Sequence, residues 1–122
     1  MCGVGLLCTQ YLGADRQSPE LQGGIAYLMN HLPDVEHRDV YYWYYATQAM
    51  HNLPGYEWDT WNRNMRRILI DTQVSRGCAS GSWDPAVPSA DQHGATGGRL
   101  MMTSLSALTL EVYYRYLPLY RL

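Results

Sequence analysis

The chain has 122 residues, 47% of them apolar and 16% charged, and a formal net charge of −2. That length fits one domain, the composition is globular, and the near-neutral balance excludes a phosphate-tracking surface for nucleic acid. All nine basic residues are Arg and Tyr occurs eleven times with no Phe, a usage that carries no functional weight by itself.

The first apolar segment, residues 4–12, ends at Gly13, a natural helix stop. Ser18-Pro19-Glu20 opens the second helix: Ser18 caps, Pro19 takes the first position, and Glu20 meets the positive end of the dipole. Leu21, Ile25, Leu28, Met29 and Leu32 then recur on one helical face. Gly23 and Gly24 lie inside that helix, each costing about 1 kcal/mol against Ala, and close approach of a neighbouring helix would account for them. Asp39 is placed to cap a third helix, residues 40–53, terminated by Pro54-Gly55 and apolar or aromatic nearly all round. Its start, Val40-Tyr41-Tyr42-Trp43-Tyr44-Tyr45, also fits a strand, but the spacing of Thr47, Gln48 and His51 argues for helix.

The fourth helix, residues 57–72, is amphipathic. Trp58, Trp61, Met65 and Leu69 line one side, and Asp59, Asn62, Arg63, Arg66 and Arg67 the other. Residues 74–98 form a long irregular stretch whose length predicts a functional or packing loop. Gly97-Gly98 leads into a fifth helix, residues 99–116, apolar on most of its surface and ended by Leu117-Pro118. Helices buried all round therefore alternate with one that has a wet face, the pattern of two layers of helices. Cys8-Thr9-Gln10 recurs as Ala46-Thr47-Gln48 at a spacing of 38 residues, a period that belongs to stacked helix pairs.

The fold class expected is thus all-α, built of antiparallel helical hairpins from about five helices. No stretch approaches the about 20 apolar residues of a spanning helix, because Glu111 stops the run 100–110 and residues 40–53 contain Thr47, Gln48, His51 and Asn52. No secretory signal is expected either: Arg16 follows the apolar start instead of preceding it, and Leu7 is too bulky before a lipoprotein-type Cys8. Cys2, Cys8 and Cys78 are an odd number without zinc spacing and read as small thiols in a reducing compartment.

At Gln73…Gly81-Ser82-Trp83, behind an amphipathic helix, the sequence resembles the prenyltransferase and squalene-oxidase repeat family, the squalene–hopene cyclase type of α/α toroid. In that family a Gln ahead of Gly-x-Trp closes each repeat, the amide bonding a helix end and the Trp ring stacking beside it. Here seven residues separate Gln73 from Gly81, more than the family usually places. Tyr41-Tyr42-Trp43-Tyr44-Tyr45-Ala46-Thr47-Gln48 looks like an inner helix, and the stretch from Gly97 to Tyr114 like the last inner helix of bacterial members. The resemblance covers nearly the whole chain and implies an incomplete toroid: the C-terminal part of a longer protein, with Met1 inside an inner helix. Its partners would be the remainder of the toroid or a second copy, and its ligand a hydrophobic isoprenoid. The compartment stays unassigned, cytoplasmic or membrane-peripheral if the parent is cyclase-like.

Catalytic chemistry is not expected from this chain alone. The Asp-x-Asp-Asp acid of such cyclases is absent; Asp34 and Glu36 are the closest carboxylates, in a Pro-bounded connection, and Asp84 before Pro85 reads as a turn residue. Cys78, Asp91 and His93 share the long loop without the order or spacing of the family's zinc ligands, and Cys2-Gly3-Val4-Gly5 lacks the Glu-Gln of a thioester. No metal or other cofactor is expected. His31, His37 and His51 are scattered, and Arg63, Arg66 and Arg67 read as a solvated stripe. The ligand-lining candidates are Tyr41, Trp43 and Tyr44, whose faces can stabilise cations or fill the space between helix layers. The competing function is a non-enzymatic helical-repeat scaffold for protein binding.

Overall fold

The computed structural model describes residues 2–120, and its helices end where the local chemistry dictates. α1 (Cys2–Tyr11) is closed by Gly13, whose N–H bonds the Gln10 carbonyl at 3.0 Å. α2 (Pro19–Asn30) starts on Ser18, whose hydroxyl accepts the Leu21 N–H at 3.4 Å. α3 (Val40–His51) starts on Asp39, whose Oδ1 accepts the Tyr42 N–H at 2.9 Å, so the aromatic run is helix and not strand. α4 (Tyr56–Thr72) begins one residue earlier than its period suggests.

α5 (Gly94–Leu110) is broken at Gly98, where φ is +66° and ψ −172°. Only glycine takes that conformation without strain, so one turn ahead of it is offset from the helix that runs on from Arg99. This is the start read from the sequence. The helix is shorter than expected, because Glu111 interrupts it and the chain continues as a further turn, α6 (Val112–Arg115), leaving helical geometry at Tyr116. The expectation for Met1 lies outside the described residues.

Contacts along the helices give their directions. Gly3 meets Ala46, and Gln10 donates to the Ala49 carbonyl at 2.9 Å, so α1 and α3 run parallel. Tyr41 lines a hollow with Met101, while His51 lies against Tyr113, so the α5–α6 segment runs the same way on the other side of α3. α2 and α4 run back. Gly24 packs on Leu6, Trp58 lies beside His51, and the Trp61 indole donates to Thr47 Oγ1 at 2.9 Å. A Cβ on Gly24 would come within 2.5 Å of Leu6 Cδ1, which explains that glycine; nothing in the structure explains Gly23. The two Thr-Gln copies do different work. Thr9 bonds its own helix at Gly5 and Thr47 receives Trp61; Gln10 crosses to α3 and Gln48 stays on Tyr44.

The core collects Leu21, Leu28, Trp43, Met50, Trp61, Met65, Leu69 and Met102. α3 is buried on every side from Ala46 onward, and α4 keeps Asp59, Arg63, Arg66 and Arg67 in solvent as its period predicts, but Asn62, read on the same side, is half-buried with its Oδ1 enclosed and unpartnered among the described residues. α5 differs from expectation. Met102, Ser106 and Thr109 are buried, but Leu100 is 80% exposed and Ser104 faces solvent. The helix packs against α3, α4 and α6 and against the long loop at Trp83, and its remaining apolar residues, Met101, Leu105 and Leu108 among them, are only half-buried. Downstream, Tyr114 and Leu117 are also exposed. The tail returns to the core through Asn52, whose Oδ1 and carbonyl accept the Leu119 and Tyr120 N–H groups.

Candidate functional site

The long loop is a packing device. Gln73, Gly81 and Trp83 come together: Gln73 and Trp83 form a β-bridge, and the Gln73 side-chain amide donates to the Gly81 carbonyl at 2.9 Å. The division of labour differs from that implied by the resemblance. The glutamine bonds the loop, and it is the buried Trp83 indole that reaches a helix end, donating to the Leu69 carbonyl in the last turn of α4 at 2.8 Å. That carbonyl is among those a helix C-terminus leaves without an internal partner. Trp83 thereby ties α4 to α5, its own N–H bonding Thr103 Oγ1 at 3.2 Å.

The rest of the loop is held by Arg38, a residue not singled out from the sequence. Arg38 is 2% exposed, and its guanidinium donates to the carbonyls of Asp84, Val87 and Ser89 at 2.7–2.8 Å. Asp84 folds its own turn by accepting the Ala86 and Val87 N–H groups and pairs with Arg99. Asp91 accepts the Val40 and His93 N–H groups at 2.9 Å, so both carboxylate oxygens serve backbone, while Cys78 lies exposed elsewhere in the loop.

These ties bring the loop against the first two turns of α3, and three hollows surround that helix end. One of about 560 Å³ lies between the end of α2 and the start of α3, backed by Tyr42 and Trp43. A second, about 280 Å³, is walled by Tyr41, Tyr42, Tyr45 and His93, and a third of about 280 Å³ by Tyr41, His93 and Met101. Adjacent hollows share residues, Asp39, Tyr42 and Gln92 between the first two and Tyr41 and His93 between the last two, so together they make a crescent. Tyr41 stands edge-on to Tyr45 at 5.0 Å and to His93 at 5.5 Å.

No family model, curated protein or solved structure matches the chain.

The three aromatic candidates are thus divided. Tyr41, 41% exposed, is the common wall of the outer two hollows, and Trp43, 2% exposed, is a core residue whose edge backs the first. Tyr44 lines none of these three and faces Arg115 at 3.5 Å. Partial burial raises its hydroxyl pKa, but hydrogen bonds from Arg115 and Tyr116 outweigh that and hold it below its usual value. Asp39, Gln92 and His93 belong to the crescent without having been ligand-lining candidates, His93 having been weighed only against a zinc site. Its capping role placed Asp39 at the start of α3, and no sequence signal placed Gln92 or His93 beside it.

His51 is 7% exposed, between Trp58 and Tyr113, and its Nδ1 has no hydrogen-bond partner. Burial lowers its pKa from 6.5, so the fold favours the neutral ring. The stability this gives is complete above pH 6.5. It is lost progressively as the pH falls toward and through the lowered value, because the unfolded chain takes a proton that the fold refuses. The exposed His37, raised by its hydrogen bond to Asp34, acts with the opposite sign. The test is therefore a comparison: thermal melts at neutral and mildly acidic pH, with His51→Phe expected to lose less stability on acidification than the parent chain. Equal losses would show that His51 does not contribute.

Proposed function

We propose that the chain is the C-terminal part of a squalene-cyclase/prenyltransferase-like repeat domain and supplies an aromatic wall to a hydrophobic, isoprenoid-type cavity, with no catalytic group of its own. The observation that carries this reading is the outer two hollows at the start of α3, where Tyr41 and Tyr45 form walls and the space is large enough for a chain of methylenes, apart from the hollow that Tyr27 and Asp34 line. The parallel course of α1, α3 and the α5–α6 segment, with α2 and α4 behind, supports it as the arrangement an arc of an α/α toroid requires. Exposed Leu100, Tyr114 and Leu117 are apolar surface that the remainder of a ring or a second copy would cover.

A soluble squalene or polyprenol analogue titrated into the full chain is expected to give saturable quenching of Trp fluorescence. Tyr41→Ala should weaken that binding by about tenfold, the effect of removing a partly buried aromatic contact. Trp43 is unsuitable for the test, because its substitution would create a core cavity costing about 3–5 kcal/mol. No saturable change in the parent chain would reject the cavity and favour the protein-binding scaffold.

A further inference from the structure

We infer that the hollow between the end of α2 and the start of α3 is a binding site for an organic ammonium ion. Its volume of about 560 Å³ is in the range of small-ligand sites. Its walls combine three aromatic rings, Tyr27, Tyr42 and Trp43, with two carboxylates, Asp34 and Asp39. Aromatic faces attract a cation through the ring quadrupole, and carboxylates add direct charge. The rings are held in place before any ligand arrives. Tyr27 stacks on His31 with centroids 4.0 Å apart, and the Tyr42 hydroxyl donates to the His31 carbonyl at 3.0 Å. Trp43 is fixed by the core.

The charge of the hollow is decided by where the arginines go. The sequence has no Lys, and no Arg lines this wall. Arg38, which sits in sequence between His37 and Asp39, turns away to the carbonyls of the long loop. Among the described residues the possible cations at this wall are histidines, and His93 Nε2 stands 3.9 Å from Asp39 Oδ1 behind it. His31 Nδ1 lies 2.8 Å from the Tyr27 carbonyl, which only accepts, so Nδ1 carries the proton and neutral His31 presents Nε2 as an acceptor. His37 pairs with Asp34 at 2.7 Å from the exposed rim, 84% accessible, where a ligand cation can compete with it. Asp39 uses Oδ1 to cap α3, and no donor among the described residues reaches its Oδ2. An anion would meet two carboxylates and no arginine, with the N–H group of Tyr42 at the α3 N-terminus already taken by Asp39. A bare metal ion would leave the rings unused, and no group of three or more ligating side chains is assembled among the described residues.

This inference does not depend on the isoprenoid reading, and the two fail separately. Choline titrated into the full chain, followed by calorimetry and Trp fluorescence, is expected to bind saturably. Its uncharged isostere 3,3-dimethyl-1-butanol should bind about tenfold more weakly, and sodium chloride at equal ionic strength should give no signal. Tyr27, at the half-exposed rim, and Asp34, outside the core, can be changed without opening a cavity. Tyr27→Leu and Asp34→Asn are each expected to weaken choline binding about fivefold while leaving squalene-analogue quenching unchanged. Equal affinity for choline and the neutral isostere would overturn the proposal, as would absence of saturable choline binding or indifference to both substitutions.

Discussion

Trp83→Ala is expected to destabilise the fold by about 3–5 kcal/mol, the usual result of emptying a large buried aromatic site. The side chain is 3% exposed between α4 and α5, and its indole N–H is the partner of the Leu69 carbonyl at a helix end. Trp83→Phe separates the two contributions. It keeps most of the apolar volume and removes only the hydrogen bond, so it should cost about 1–2 kcal/mol. Denaturant melts of both variants with unchanged m values would check this. Similar, small losses for the two would mean that α4 and α5 do not depend on the tryptophan. Hydrogen exchange adds a local readout: the Val74 and Gly81 amides, bonded across the loop at 2.9 and 2.7 Å, should lose protection in Trp83→Ala.

Arg38→Met is the second large effect, expected to cost about 3 kcal/mol or more. Three carbonyls lose a charged donor at once, and methionine replaces the volume of the stem but none of the hydrogen bonds. The nearby carboxylates of Asp84 and Asp91 also lose their favourable charge. Arg38→Lys keeps the charge but not the planar fork that reaches several acceptors together, so it should recover only part of the loss. The signature is a melt lowered by about 10 °C in Arg38→Met with an intermediate value in Arg38→Lys. A lysine variant equal to the parent would show that charge alone, not the fork, holds the loop.

Both residues act on segments whose helices are plainly written in the sequence, yet only one was legible there. Trp83 sits in a recognisable Gln…Gly-x-Trp pattern, and a tryptophan after a glycine-rich turn is a packing signal in any context. Arg38 lies in a short polar connection where an arginine is ordinarily solvated, and nothing local distinguishes it from Arg63 or Arg66 on the wet face of α4. Its burial follows from the loop 46 to 51 residues downstream folding over it. The α5 helix errs in the other direction. Apolar periodicity measures what a helix is able to bury, not what is present to bury it, so Leu100 stands in solvent while Met102 two residues on is fully enclosed.

The candidate site divides in the same way. The sequence by itself determined the helical class and the capped starts of α2 and α3, because caps, proline and helical periodicity act within a few residues: Ser18 and Asp39 hold the N–H groups they were expected to hold. It also identified the aromatic character of α3. Which rings wall a hollow and which fill the core was decided only by tertiary packing. Tyr41, Trp43 and Tyr44 lie within four consecutive residues, but successive side chains on a helix diverge by about 100°. The neighbours then differ, with the loop at His93 for Tyr41, the core for Trp43 and Arg115 for Tyr44. The same packing turned Arg38 away from Asp34 and Asp39 and left their hollow acidic, a charge set by the fold of a distant loop rather than by the neighbouring residues.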